Sequence, residues 1–144
     1  MEDLFAGVDV STQGQKIVII DLEKRSVIYS DSINYDIDLP KYNTLNGVLK
    51  DTDFGVSESN PNMWIDSLHL LFERLKTSSD IIQSIKAISI AGQQHGLVAI
   101  DKDGNLAKST SKLWNDFSTA EECEILTKEI GGSEQMITEV ANSQ

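Results

Sequence analysis

The first 35 residues contain three runs rich in β-branched residues, and these runs restrict the chain to folds built on a sheet. Turn-forming residues separate the runs, which are Leu4–Val10, Lys16–Leu22 and Ser26–Tyr35. Four residues, Ser11–Gly14, link the first two runs, and this is a length that β-hairpins use. The second run is nearly all apolar, so we expect a strand that is buried on both faces. The sequence therefore predicts a three-stranded antiparallel meander at the start of the chain.

A helix is the next regular element that the sequence predicts. Residues 36–59 mix proline and glycine with polar residues and have no sustained period, which predicts a long surface connection. Asn60 is a suitable N-cap, and Pro61 suits the first helical position. The apolar residues that follow recur at helical spacing: Trp64, Leu68, Leu71, Phe72 and Leu75. We expect this amphipathic helix to pack on the sheet.

Strand and turn signals continue in the second half of the chain. The run Ile85–Ala91 predicts a further strand, Gly96–Asp101 predicts its neighbour, and Asp103–Gly104 is a turn signal. Ser118 and Glu121 match a capping box, which predicts the start of another helix.

Two helices are predicted to close the sequence. The first is expected to face inward with Cys123, Leu126 and Ile130. Gly131–Gly132 predicts its end, and Ser133 is expected to cap a last helix over Glu134–Ala141. The whole order of elements predicts an α/β fold, with a mixed sheet and helices packed on it.

Composition narrows the classes of partner. The 144 residues are 40% apolar and 24% charged, as in an ordinary globular domain, and one cysteine excludes an intramolecular disulfide. A net charge of −11 disfavours nucleic acids and anionic membranes as partners bound through charge. No apolar run approaches the roughly 20 residues that span a bilayer, and the start does not resemble a signal peptide. We therefore expect a cytoplasmic protein without nucleic-acid or membrane partners.

The first candidate site is the hairpin tip that follows the first strand. Asp9 is followed by Ser11, Thr12 and Gly14, and Lys16 enters the second strand. Backbone N–H groups and hydroxyls at such a tip can bind phosphate oxygens, the lysine adds a positive charge, and Asp9 can hold a magnesium ion through water. The alternative is a hairpin in which the same residues serve only as turn formers.

Two further segments carry polar groups beside apolar elements. Gln94 and His95 follow a strand and suit a polyhydroxylated small molecule, because an amide and a neutral imidazole both donate and accept hydrogen bonds. The alternative is a solvated loop. Trp114 and Asp116 combine an aromatic plane with a carboxylate, as sugar sites do, and the alternative is a buried Trp followed by turn residues. His69 is expected on the surface.

Taken in this order, the segments resemble the N-terminal part of the FGGY family of carbohydrate kinases, and its xylulokinases most closely. The sequence DVSTQGQK resembles the first phosphate loop of the family, with Ser11 where glycine is usual. AGQQHG resembles the sugar-binding segment, and LWNDFSTAEECEIL resembles a Trp-x-Asp stretch and the helix after it. The similarity extends over nearly the whole chain.

The resemblance implies a ribonuclease-H-like domain of the actin-like ATPase superfamily. ATP and Mg²⁺ would be the cofactors, and D-xylulose would be the sugar. It further implies that Asp9 lies near the magnesium and the transferred phosphate and that the Thr12 loop faces the nucleotide phosphates. Gln94 and His95 would contact the sugar hydroxyls, as would Trp114 and Asp116. A homodimer of the intact enzyme is a further expected partner.

The resemblance also implies that important parts of such a kinase are absent. The family's aspartate base, second phosphate loop and adenosine pocket lie downstream of the matched segments, and none is found before Gln144. We therefore expect residues 1–144 to be a truncated N-terminal domain, without the second domain and inactive alone. The rival interpretations are an FGGY kinase for ribulose, gluconate or glycerol, a sugar-binding module without catalysis, and an actin-like assembly protein.

Overall fold

The computed structural model describes residues 3–140, in which helices separate groups of two or three strands and two helices come last. The helices are α1 Tyr35–Asp38, α2 Pro61–Ser78, α3 Ala120–Ile130 and α4 Ser133–Val140. The strands are β1 Leu4–Val10, β2 Gly14–Asp21, β3 Ser26–Asn34, β4 Thr44–Leu45, β5 Val48–Leu49, β6 Glu58–Ser59, β7 Ile85–Gly92 and β8 Ser111–Lys112. Ala141, the expected last residue of the final helix, lies outside the described residues.

The main sheet has four strands in the order β3-β2-β1-β7. The first three are antiparallel neighbours, which confirms the predicted meander. β7 pairs with β1 in parallel, with Val10 opposite Gly92, so the sheet is mixed as predicted. A parallel pair needs a long crossover, which here contains α2.

The prediction that Gly96–Asp101 is a strand beside β7 was wrong. The only bridge within Gly96–Asp101 is local, between Ile100 and Leu106. The backbone N–H of Ala107 donates to the carbonyl of Ala99, which closes a small hairpin around the predicted turn at Gly104. The apolar residues of this segment therefore pair with the chain just after them, whereas β7 takes its partner from the first strand.

One hydrophobic core joins α2 to one face of the sheet. Asn60 caps α2 and Pro61 begins it, as predicted, because the Asn60 side chain accepts from the backbone N–H of Asn62 at 3.0 Å. Fully buried residues on the two sides of this core are Met63, Leu71 and Leu75 on α2, and Leu4, Ile17, Ile19 and Ile33 on the strands. The other face of β2 is only half-buried at Val18 and Ile20, so the predicted burial on both faces was wrong.

The connection over residues 36–59 is more ordered than predicted. It contains α1, a 3₁₀ turn at Pro40–Tyr42, and three two-residue strands. Thr44, Gly47 and Ser59 are buried. Elements this short produce no periodic pattern in a sequence, which is why the segment had the signature of a surface loop.

The last two helices differ in packing from the prediction. α3 begins after Thr119, which makes no side-chain capping bond, and the Ser118 hydroxyl donates instead to Asp116. Leu126 is 52% exposed, so the predicted inward stripe was wrong. Gly131 ends α3 in the left-handed conformation, as predicted.

Within residues 3–140, no helix has both the length and the apolar content that would let it cross a membrane.

We expect Leu71→Ala to lower the free energy of unfolding by about 2–5 kcal/mol, because the side chain is fully buried between α2 and the sheet. Ile65→Ala on the same helix is the control, since Ile65 is 54% exposed. Its cost should stay below about 1 kcal/mol. Urea denaturation of both variants measures the difference, and equal costs would contradict this placement of the core.

Candidate functional site

The carboxyl ends of β1 and β7 lie side by side because the two strands are parallel. The backbone N–H of Gln93 donates to the carbonyl of Val10 at 3.0 Å, which extends the ladder one residue beyond β7. The hairpin tip Ser11–Gly14 and the segment Gln93–Gly96 therefore leave the sheet at the same edge. In open α/β sheets this edge is where ligands bind.

The hydroxyl of Thr12 connects three segments that are distant in the sequence. Thr12 Oγ1 donates to Gln93 Oε1 at 3.1 Å. Trp114 Nε1 donates to the same Oγ1 at 3.1 Å. The hairpin tip, the segment after β7 and the Trp114 segment thus meet at a single atom.

The hairpin tip presents groups that suit phosphate. The backbone N–H of Ser11 donates to the carbonyl of Gly14 at 2.9 Å and closes the turn. In the described part of the chain, the backbone N–H groups of Thr12 and Gln13 donate to no protein acceptor. In a turn, successive N–H groups that lack acceptors are able to bind an anion. A surface depression of about 270 Å³ adjoins the tip, and its lining includes Lys16.

Asp9 stands at the end of β1, directly across the hairpin from Lys16. Its side chain is exposed, and Oδ2 accepts from the Ser11 hydroxyl at 2.6 Å. No cluster of three or more His, Cys, Asp or Glu side chains suited to a metal occurs among residues 3–140. A single accessible carboxylate fits Mg²⁺ held largely by water and phosphate, which is the coordination that this ion prefers.

Two residues support the hairpin tip from behind. The Tyr35 backbone N–H donates to the carbonyl of Gln13 at 3.1 Å, and its hydroxyl donates to the carbonyl of Ser11 at 3.2 Å. Burial raises the pKa of Tyr35, so the hydroxyl keeps the proton that it donates. Gly47 also packs against the tip, where a Cβ atom would lie 1.9 Å from the carbonyl oxygen of Thr12. Its φ of +78° also favours glycine.

Asp36 holds the turn that presents Gly47. Its carboxylate accepts from Thr44 Oγ1 at 2.7 Å and from the backbone N–H groups of Asn46 at 2.6 Å and Gly47 at 3.0 Å. Burial alone would raise the pKa of Asp36, but these three hydrogen bonds outweigh it and lower the pKa. The backbone geometry behind the hairpin tip therefore depends on an ionised side chain.

The segment after β7 exposes its predicted ligands. Gln94 and His95 are both exposed, and His95 has a φ of +62°, in the left-handed region. Gln93 is half-buried, and its Nε2 has no partner within residues 3–140. Beside it lies a cavity of about 180 Å³ whose lining includes Trp64, and Trp64 Nε1 is also without a partner in that part of the chain.

Asp116 forms an internal anchor in the structure. Its Oδ2 accepts from the backbone N–H of Ser57 at 2.8 Å, and Oδ1 accepts from Lys112 Nζ at 3.0 Å and Ser118 Oγ at 2.7 Å. Desolvation would raise the pKa of Asp116, but these donors lower it to about 2. The anchor fixes the segment that carries Trp114, which itself is 59% exposed.

The predicted site residues thus form one connected region, whose contacts with ligands stay predictions. The hairpin tip and the two strands that it joins hold Asp9, Ser11, Thr12, Gly14 and Lys16, while the adjoining segments hold Gln94, His95, Trp114 and Asp116. The sequence interpretation missed the supporting role of Tyr35, Gly47 and Gln93. The Asn-Gly pair before Val48 is a turn signal that could have indicated Gly47. No local sequence pattern indicates that Tyr35 supports the hairpin tip.

The structure is an α/β domain in which the hairpin tip lies beside the exposed polar segment that follows β7. A family model described as the FGGY family of carbohydrate kinases, N-terminal domain, matches residues 4–141. The chain therefore belongs to the FGGY family of carbohydrate kinases.

Individual relatives agree with this assignment. The chain is 39% identical to a xylulose kinase of Schizosaccharomyces pombe over an alignment 152 positions long. The alignment covers 92% of this chain and 26% of the relative. The structure superposes on a ligand-bound xylulose kinase from Lactobacillus acidophilus with a TM-score of 0.72 at 24% identity, covering 94% of this chain and 24% of that one. A gluconate kinase from the same organism gives a TM-score of 0.73 at 22% identity, covering 96% and 25%. The chain spans about a quarter of the length of these proteins.

We expect Gly47→Ala to lower the free energy of unfolding by more than about 2 kcal/mol, because the new Cβ would overlap the Thr12 carbonyl as well as strain the backbone. Gly104→Ala is the matched control, since its φ of +84° is similar but the space around it is open. Its cost should be about 1 kcal/mol. Urea denaturation measures both variants, and equal losses would show that the Thr12 contact does not constrain Gly47.

The stability of the fold should depend on the charge of Asp116 at acid pH. Because the pKa is about 2 in the folded chain and 3.8 ordinarily, the unfolded chain binds more protons between these values, and stability falls as pH falls through them. We expect the advantage of wild type over Asp116→Asn to be largest above about pH 5 and to shrink toward about pH 2. Urea midpoints measured across this range test it, and a pH-independent difference would contradict it.

Proposed function

We propose that this chain is the N-terminal part of a longer ATP-dependent kinase that transfers the γ-phosphoryl group to D-xylulose. The meeting of the phosphate-type loop and the sugar-type segment at the Thr12 hydroxyl carries the proposal, because phosphoryl transfer requires donor and acceptor side by side. The 39% identity to a protein named xylulose kinase supports the choice of sugar.

The hairpin tip would bind the nucleotide phosphates. The free backbone N–H groups of Thr12 and Gln13 would donate to phosphate oxygens, with Ser11 and Gly14 shaping the turn and Lys16 supplying positive charge. Asp9 would hold Mg²⁺ through water, and the ion would supply neutralisation of the charge on the phosphates.

The sugar would lie against the segment after β7. Gln94 and His95 are exposed beside the hairpin tip, where they would donate to and accept from sugar hydroxyls. Trp114 would present its exposed ring, while Asp116 would contribute chiefly by holding the Trp114 segment, since internal donors occupy both of its oxygens.

The remainder of the active site would come from the rest of the protein. The family resemblance supports this part of the proposal, because it implies that the aspartate base, the second phosphate loop and the adenosine pocket lie beyond the matched segments. In this proposal residues 1–144 are an incomplete N-terminal domain, and the intact enzyme is cytoplasmic, is able to form a homodimer, and has neither nucleic-acid nor membrane partners.

A kinase for a different polyol or acid is the second candidate. The fold favours neither, because the gluconate kinase superposes as well as the xylulose kinase. Phosphorylation rates of the full-length protein on D-xylulose, L-ribulose, gluconate and glycerol, followed by coupled detection of ADP, decide between them. The proposal expects D-xylulose to give the highest kcat/KM, and another preferred substrate would refute this part of it.

The assignment of His95 gives a sharper test. We expect His95→Ala in the full-length enzyme to raise KM for D-xylulose roughly two- to tenfold, because a hydrogen bond between neutral groups contributes about 0.5–1.5 kcal/mol, and to leave KM for ATP nearly unchanged. His69→Ala, at an exposed position of α2, is the control and should change neither constant. Equal rises in both constants for His95→Ala would contradict its placement at the sugar.

A further inference from the structure

Gln93 contacts the hairpin tip and directly precedes the exposed residues Gln94 and His95. Its backbone N–H is bound to the Val10 carbonyl at the end of β1. Its side-chain Oε1 accepts from the Thr12 hydroxyl at 3.1 Å. Gln93 is therefore fixed twice, once to the sheet and once to the hairpin tip.

The single proton of the Thr12 hydroxyl is already donated within the protein. A threonine hydroxyl has one proton, and here Gln93 Oε1 accepts it. Trp114 Nε1 donates to the same oxygen. While both bonds are made, Thr12 Oγ1 has no proton to give to a phosphate oxygen, and its backbone N–H is the donor left for that purpose. The side chain of Thr12 thus serves to hold the loop.

We propose that Gln93 is a positioning residue for phosphoryl transfer, which acts through the Thr12 side chain to fix the phosphate loop relative to the sugar-binding segment. The inference rests on the proposed function. Transfer requires the attacking and leaving oxygens in line, and a displacement of about 1 Å far from the chemistry can lower the rate roughly 100-fold. The Thr12–Gln93 hydrogen bond joins the phosphate loop to the sugar-binding segment, so in this proposal it controls that alignment.

Kinetics of the full-length enzyme separate positioning from binding. Gln93→Met keeps the length of the side chain but lacks the acceptor oxygen, and Gln83→Met, at an exposed position of the 3₁₀ turn Asp80–Ser84, is the matched control. For Gln93→Met we expect kcat to fall roughly 10- to 100-fold, while KM for ATP and KM for D-xylulose each stay within about threefold. The control should leave all three unchanged.

Two substitutions of Thr12 test the role of the hydroxyl itself. Thr12→Val removes the hydroxyl and should lower kcat as Gln93→Met does, whereas Thr12→Ser keeps the hydroxyl and should retain most of the activity. If the two residues act as one unit, the double variant Thr12→Val with Gln93→Met should be no slower than the slower single variant. Losses that multiply would overturn the inference.

A spectroscopic measurement on the 144-residue chain tests the bond without catalysis. The chain has two tryptophans, Trp64 and Trp114, so an ¹⁵N–¹H spectrum shows two indole signals, which Trp114→Phe assigns. Both Thr12→Val and Gln93→Met should shift the Trp114 signal, because each alters the acceptor of its N–H. Gln83→Met should leave it in place. An unmoved Trp114 signal in both variants would overturn the inference.

The outcomes distinguish the inference from the function on which it rests. A wild-type enzyme that phosphorylates D-xylulose, with a Gln93→Met variant that raises KM for the sugar at unchanged kcat, would make Gln93 a sugar contact and refute the positioning role alone. A wild-type enzyme that phosphorylates no sugar would refute the proposed function, and the positioning role would fall with it.

Discussion

The parallel pairing of β1 with β7 is the constraint on which the candidate site depends. Parallel strands end at the same edge, so Val10 and Gly92 place the hairpin tip beside the segment that follows β7. An antiparallel pair would have put these two segments at opposite edges. Once they are neighbours, the Thr12 hydroxyl can reach Gln93, and the Trp114 segment completes the contact from a third direction. The direction of β7 therefore decides which polar groups lie together at this edge of the sheet.

The shape of the hairpin tip depends on the connection after β3, which lies well outside the tip itself. Tyr35 supports the tip through its backbone and hydroxyl, and Gly47 fits against the Thr12 carbonyl only because it lacks a Cβ atom. Asp36 in turn fixes Gly47 through three hydrogen bonds to one carboxylate. In the described part of the chain, the tip leaves the N–H groups of Thr12 and Gln13 without acceptors, because the Ser11–Gly14 bond and the contacts of Tyr35 and Gly47 define its conformation.

The parts of the fold that the sequence predicted are those set by local chemistry. The meander follows from β-branched runs separated by turn formers, and the start of α2 follows from Asn60 and Pro61. The pairing of β7 with β1 joins residues about 80 apart, and no local pattern records it, so Gly96–Asp101 was assigned as the neighbour instead. The candidate site divides in the same way, because residue types indicated His95 and the hairpin tip, whereas the role of Gln93 depends on tertiary contacts.

Electrostatics at the hairpin tip are compatible with the polyanionic ligand that we propose for it, although the chain as a whole is acidic. The net charge of −11 is a property of the whole surface, whereas the tip offers unpaired N–H groups and Lys16 across from Asp9. Asp9 alone would repel phosphate, since two negative charges about 4 Å apart oppose each other even near water. A magnesium ion held by Asp9 through water would supply positive charge that offsets this repulsion. The proposed Mg²⁺ would therefore allow a carboxylate at the end of β1 to lie near a bound phosphate, in addition to the positive charge that Lys16 supplies.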